Sequence, residues 1–94
     1  MIALTLAEIT AAIGGELRVA GEHTPETVVD GIVETDSRTM EAGSIFVAKP
    51  GAETDGHRFV GAAVEAGAVL AIVEHPVDVD VSQIVVPDAV AALG

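Results

Sequence analysis

Cysteine, tryptophan and tyrosine are missing from this chain, and only two phenylalanines occur among its 94 residues. Without cysteine there is no disulfide framework, no thiolate metal site and no thiol nucleophile, and a reducing compartment is permitted. Aromatics make up 2% of a chain that is 50% apolar, so the core has to be assembled from Val, Ala, Ile and Leu. Positive charge is equally scarce. Four Lys plus Arg face fifteen Asp plus Glu, and the formal net charge of -11 repels a phosphate backbone, which argues against a nucleic-acid partner. No apolar run approaches the roughly 20 residues that span a bilayer, and the stretch from Met1 to Glu8 lacks the positive n-region of a secretory signal. The expectation is a soluble, cytoplasmic protein without a membrane partner, short enough to form one domain at most.

The apolar residues that are present fall into helical and strand patterns. Thr5 and Glu8 have capping-box spacing, Leu6, Ile9 and Ile13 recur at helical intervals, and Gly14-Gly15 supplies a stop, which predicts a helix from Leu6 to Ile13. Leu17 and Val19 alternate with charged neighbours as in a strand, and residues 21–27 form a polar loop containing Pro25. Val28, Val29, Ile32 and Val33 make one strand-like run, interrupted at Gly31 by a bulge or a close backbone approach. A buried strand is predicted over Ser44 to Ala48. A helix capped by Asp55 and carrying Phe59, Ala62, Ala63 and Ala66 follows, then strands through Val69 to Val73 and Ile84 to Val86. This strand, helix, strand order is the grammar of a parallel or mixed sheet, so the fold class is α/β: one small domain, a mixed sheet flanked by helices. Asp88 opens a last helix barely two turns before Gly94, which predicts a chain that continues in a longer parent protein.

Three of the four cations, Arg38, Lys49 and Arg58, fall within 21 residues, each in or beside a loop at a strand end. Ligands of α/β folds bind outside the carboxyl ends of strands, and arginine suits phosphate, so an anion site is one reading. Solvated surface charge is the other. Asp36-Ser37-Arg38 offers a hydroxyl and a guanidinium to a ligand, or merely an Asx turn that ends a strand. Asp55 is a helix cap whose neighbouring amides could also meet a ligand. His23, His57 and His75 lack the spacing of a metal pair, and no G-x-x-x-x-G-K-[ST] phosphate loop occurs. No catalytic residue and no metal ligand is therefore expected in this chain.

Taken together and in order, Asp36-Ser37-Arg38, Gly43 to Ala48, Asp55-Gly56-His57-Arg58-Phe59 and Gly67-Ala68 resemble the N-terminal domain of the Mur ligases, which extend the peptidoglycan stem peptide. The segments Leu4-Thr5-Leu6, Glu8-Ile9-Thr10, Gly14 to Leu17, Val77 to Asp80 and Gln83 to Asp88 are similar to the branch that adds D-alanyl-D-alanine. The resemblance spans residues 1–94, the first of the family's three domains. It implies a domain that receives the uridine diphosphate end of UDP-N-acetylmuramoyl-tripeptide, with the remaining ligase domains as partners in cis. The parent enzyme would use ATP and Mg2+ to activate the tripeptide carboxyl as an acyl phosphate, which the amine of D-alanyl-D-alanine attacks, in cell-wall biogenesis. Cofactors and catalysis would thus belong to the parent and not to these residues.

By the same resemblance Ser37 is the hydroxyl near the uracil or its adjoining ribose phosphate, Glu53 and Thr54 meet the uracil edge, and Asp55 holds their loop. Arg38 either contacts ligand or supports the loop. Lys49-Pro50-Gly51-Ala52 departs from the family's commoner Leu-Lys-Gly-Glu or Leu-Pro-Gly-Glu loop. Two alternatives stand beside this reading: the ligase of the preceding step, which adds a diamino acid, and a non-catalytic acidic protein-interaction domain.

Overall fold

The computed structural model describes residues 3–48, 59–89 and 91. Leu4–Thr5 (β1) leads directly into a helix over Leu6–Ile13 (α1). The predicted capping box is formed: the Glu8 N–H donates to Thr5 Oγ1 at 3.1 Å and the Thr5 N–H to Glu8 Oε1 at 2.9 Å. Two donors that the helix start leaves without intrahelical partners are thereby satisfied. Gly14 closes α1 at φ 71°, the left-handed conformation that a residue without Cβ adopts at no steric cost. Leu6 and Ile9 are the buried residues of the helix.

Glu16–Arg18 (β2) follows as its alternation predicts. The next apolar run is two strands rather than one. Val28–Val29 (β3) pairs antiparallel with β1 in a two-stranded sheet, and Val33–Glu34 (β4) joins the main sheet. The physical reason lies at Gly31, where a Cβ would collide with the Gly43 carbonyl. The missing side chain lets the chain cross tightly over residues 43–44 as it leaves one sheet for the other, and the Ile45 N–H then donates to the Ile32 carbonyl at 2.9 Å.

Ser37–Thr39 forms one turn of 3-10 helix, followed by Ile45–Val47 (β5), Val60–Glu65 (α2), Leu70–Val73 (β6) and Ser82–Val85 (β7). The main sheet has the order β2-β7-β6-β5-β4, with every pair parallel except β2 against β7. This is the mixed α/β sheet expected from the sequence. Register divides its residues between two faces. Ile45, Val47, Leu70, Ile72 and Ile84 pack with Leu6 and Ile9 of α1, while Phe46, Ala71 and Val73 pack with Val60 and Ala63 of α2. With helices on both faces, β5 and β6 are buried at every position, and they read as continuous apolar runs for that reason.

Two boundaries differ from expectation. The helix assigned to an Asp55 cap begins at Val60, with Phe59 in the cap position and no side-chain cap; Asp55 itself lies outside the described residues. Six residues are too few for a cap to stabilise a helix unaided, and α2 is held by Val60 and Ala63 against the sheet. β7 starts at Ser82, two residues before its first large apolar side chain, because Ser82 and Gln83 are buried with their polar groups paired. Gln83 Oε1 accepts the Val77 N–H, and its Nε2 donates to the Val77 carbonyl, each at 2.9 Å. Asp88 caps as predicted: the Ala91 N–H donates to Asp88 Oδ1 at 3.1 Å. Among the described residues no helix is long and apolar enough to cross a membrane.

Candidate functional site

The carboxyl end of β4 feeds the sequence Thr35-Asp36-Ser37-Arg38, and these four residues with Phe59 line a cleft of about 510 Å³. The local fold follows from Asp36. Its backbone is extended, and its Oδ1 accepts the Arg38 N–H at 2.9 Å, capping the 3-10 turn that begins at Ser37. Arg38 then folds back on the same carboxylate: Nε donates to Oδ1 at 3.0 Å and Nη2 to Oδ2 at 2.8 Å, a two-pronged ion pair. The Arg38 side chain is 86% exposed and that of Asp36 38%. Side-chain and backbone hydrogen bonds from Arg38 hold the Asp36 carboxyl down at about 2, below its ordinary 3.8, and Asp36 in turn raises the guanidinium.

Ser37 is half-buried and lines the cleft, and its hydroxyl has no hydrogen-bond partner among the described residues. Of the residues singled out from sequence, then, the structure brings Ser37 and Arg38 together in one cleft. Glu53, Thr54 and Asp55 lie outside the described residues, as do Lys49 and Arg58. Phe59, expected to serve the helix as packing, is 40% exposed and lines the cleft. Asp36-Ser37-Arg38 is an Asx-type turn and a cleft wall at once, so its two sequence readings are compatible.

Sequence reasoning missed a second polar assembly at the opposite edge of the sheet. Ser82, the first residue of β7, is 1% exposed; its Oγ accepts the Ala20 N–H at 3.1 Å and lies 2.6 Å from His23 Nδ1. The serine hydroxyl can give its hydrogen to Nδ1 or accept one from it while still accepting the amide, so the direction of this bond follows the imidazole tautomer. Ser82 and His23 sit beside a cleft of about 380 Å³ whose wall includes Glu22, Val64 and Asp80. Nothing local announces the pair, since 59 residues separate the partners.

Among the described residues no group of three His, Asp or Glu side chains could hold a metal ion. The sequence also has no glycine loop ending in Lys-Ser or Lys-Thr.

Comparison with known proteins agrees with the architecture. The sequence model for the Mur ligase family, catalytic domain, matches residues 31–93. The UDP-N-acetylmuramoyl-tripeptide--D-alanyl-D-alanine ligase of Mycobacterium leprae is 43% identical over 89 residues, 94% of this chain and 17% of its own length. The UDP-N-acetylmuramoyl-L-alanyl-D-glutamate--2,6-diaminopimelate ligase of Chlorobaculum tepidum is 42% identical over 91 residues, covering 94% of this chain and 18% of its own. The crystal structure of MurF from Acinetobacter baumannii superposes with a TM-score of 0.82 at 34% identity, covering 99% of this chain and 20% of that one. The chain thus spans about a fifth or less of the proteins it matches. With the model match extending over two thirds of its residues and the same fold in a solved relative, the chain belongs to the Mur ligase family.

Proposed function

We propose that this chain is the substrate-recognition part of a MurF-type ligase and receives the uridine diphosphate end of UDP-N-acetylmuramoyl-tripeptide. The observation that carries this reading is the Ser37 hydroxyl, without a partner among the described residues, at the wall of a cleft beyond the carboxyl end of a parallel strand. The Phe59 ring in the same wall offers a surface on which a planar base can rest. In this proposal Glu53 and Thr54 complete the uracil contacts and Asp55 holds their loop. ATP, magnesium and the acyl-transfer chemistry belong to other domains of a cytoplasmic parent ligase, where D-alanyl-D-alanine is added during peptidoglycan synthesis.

A second reading has a specific observation behind it, the 42% identity to a diaminopimelate-adding ligase. The two share the nucleotide end of their substrates and differ in the amino acid added, so assay of the full-length ligase with each amino-acid substrate separates them. For the shared claim the test is Ser37→Ala. One neutral hydrogen bond contributes about 0.5–1.5 kcal/mol, so UDP affinity is expected to fall by that amount with the fold unchanged. Equal UDP binding by both proteins would remove Ser37 from the site. Absence of any saturable UDP binding would favour a protein-interaction domain instead.

A further inference from the structure

We propose that Asp36 and Arg38 form a positioning pair, which fixes the turn presenting Ser37 to the cleft and leaves Arg38 committed to Asp36 and not to the ligand's diphosphate. The inference rests on the nucleotide-binding reading of the cleft and assigns these two residues a part in it.

Four hydrogen bonds run from Arg38 to one carboxylate, from the backbone N–H to Oδ1 at 2.9 Å, from Nε to Oδ1 at 3.0 Å and to Oδ2 at 3.3 Å, and from Nη2 to Oδ2 at 2.8 Å. A single 3-10 turn has little cohesion of its own, and this one is capped at its start by Asp36, with Arg38 inside the turn tied back to the same carboxylate. The residue between them is Ser37, so whatever fixes Asp36 to Arg38 also fixes the backbone that carries the hydroxyl. Charge points the same way. Asp36 lines the cleft alongside Ser37, and a diphosphate drawing Arg38 away would expose itself to that carboxylate at close range. With the pair intact the two charges cancel, and what this wall offers is a hydroxyl and an aromatic ring, suited to the uncharged nucleoside part of the ligand. Hydrogen bonds from Arg38 hold the carboxyl below its ordinary range, which keeps Asp36 ionised at neutral pH.

The test is a set of NMR titrations of this chain with uridine and with UDP, for the unaltered protein, Asp36→Ala, Asp36→Asn and Arg38→Ala. Loss of a cap weakens an equilibrium by about fivefold, and Asp36→Ala is expected to weaken uridine and UDP by that same factor, whereas Arg38→Ala keeps the backbone cap, removes only the side-chain prongs, and is expected to weaken both ligands equally and by less. Asp36→Asn keeps an oxygen for the Arg38 N–H and is expected to recover most of the loss, while thermal midpoints stay together because the pair is exposed. A tenfold or greater loss for UDP alone in Arg38→Ala, with uridine unaffected and the excess vanishing in high salt, would overturn the proposal in favour of a phosphate contact. If the unaltered chain takes up neither ligand, the nucleotide-binding reading fails and the ligand half of this inference fails with it. Amide exchange at Arg38 in the ligand-free chain judges the other half: a rise of about fivefold in Asp36→Ala supports the clamp, and no change overturns it.

Discussion

Both edges of the main sheet place a serine hydroxyl beside an ionisable side chain, and they use it in opposite ways. At the amino edge Ser82 is buried and spends its hydrogen-bonding capacity internally, on the Ala20 amide and the His23 ring. At the carboxyl edge Ser37 is half-buried with no partner among the described residues, while its charged neighbours engage each other. A buried polar group has to be satisfied by the fold, so Ser82 serves stability. A partly exposed hydroxyl on a turn that is already capped is left for something else, and the role proposed for Ser37 is binding. The difference between the edges is therefore one of hydrogen-bond bookkeeping, and it can be tested by breaking each in turn.

The most damaging change should be Gly31→Ala. Its new Cβ meets the Gly43 backbone, which cannot swing aside as a flexible side chain would, and the junction between the two sheets has to shift. A loss of about 3 kcal/mol, the upper end of ordinary overpacking, is expected in urea denaturation, together with weakened UDP binding as β4 and its turn move. Ser82→Ala comes next. It strips the Ala20 amide and His23 Nδ1 of their shared partner, for an expected cost of about 1–3 kcal/mol in stability, with UDP affinity unchanged. Ser37→Ala should show the converse: stability within about 0.5 kcal/mol of the parent, as for other partly exposed positions, and the loss in affinity given above. Were the two serine variants to behave alike in both measurements, the contrast between the edges would collapse.

The smallest effect is a pH dependence. Asp36 titrates at about 2 in the folded chain and at 3.8 when unpaired, so the folded state binds the proton less readily. The pair's stabilisation is then complete above pH 3.8 and is lost as pH falls through about 2, with no change between pH 5 and 8. Following the Asp36 carboxyl carbon by NMR checks this. A midpoint near 3.8 would mean that the ion pair does not hold in solution.

Much of this architecture is legible in the residues, for reasons that are local. The α1 boundaries follow from Thr5, Glu8 and Gly14, whose effects act within one turn, and β5 and β6 from apolar runs too short to be anything but buried strands. What was not legible depends on distant partners. The split between β3 and β4 is decided by Gly43, twelve residues beyond Gly31, and the early start of β7 by the satisfaction of Ser82 and Gln83 elsewhere in the fold. The site divides along the same line. Asp36-Ser37-Arg38 is a local turn and could be singled out, whereas Phe59, at the cap position of α2, joins the cleft wall through the tertiary fold, 21 positions beyond Arg38 in sequence.

The central claim is that the carboxyl-edge cleft, and not its amino-edge counterpart, takes the nucleotide. A 1H-15N titration of the chain with UDP tests it most directly. The account predicts saturable shifts at Thr35 through Arg38 and at Phe59, extending into residues 49–57, with Ala20 to His23 and Asp80 to Ser82 undisturbed. Shifts centred on His23 and Ser82, or none at millimolar UDP, would contradict it.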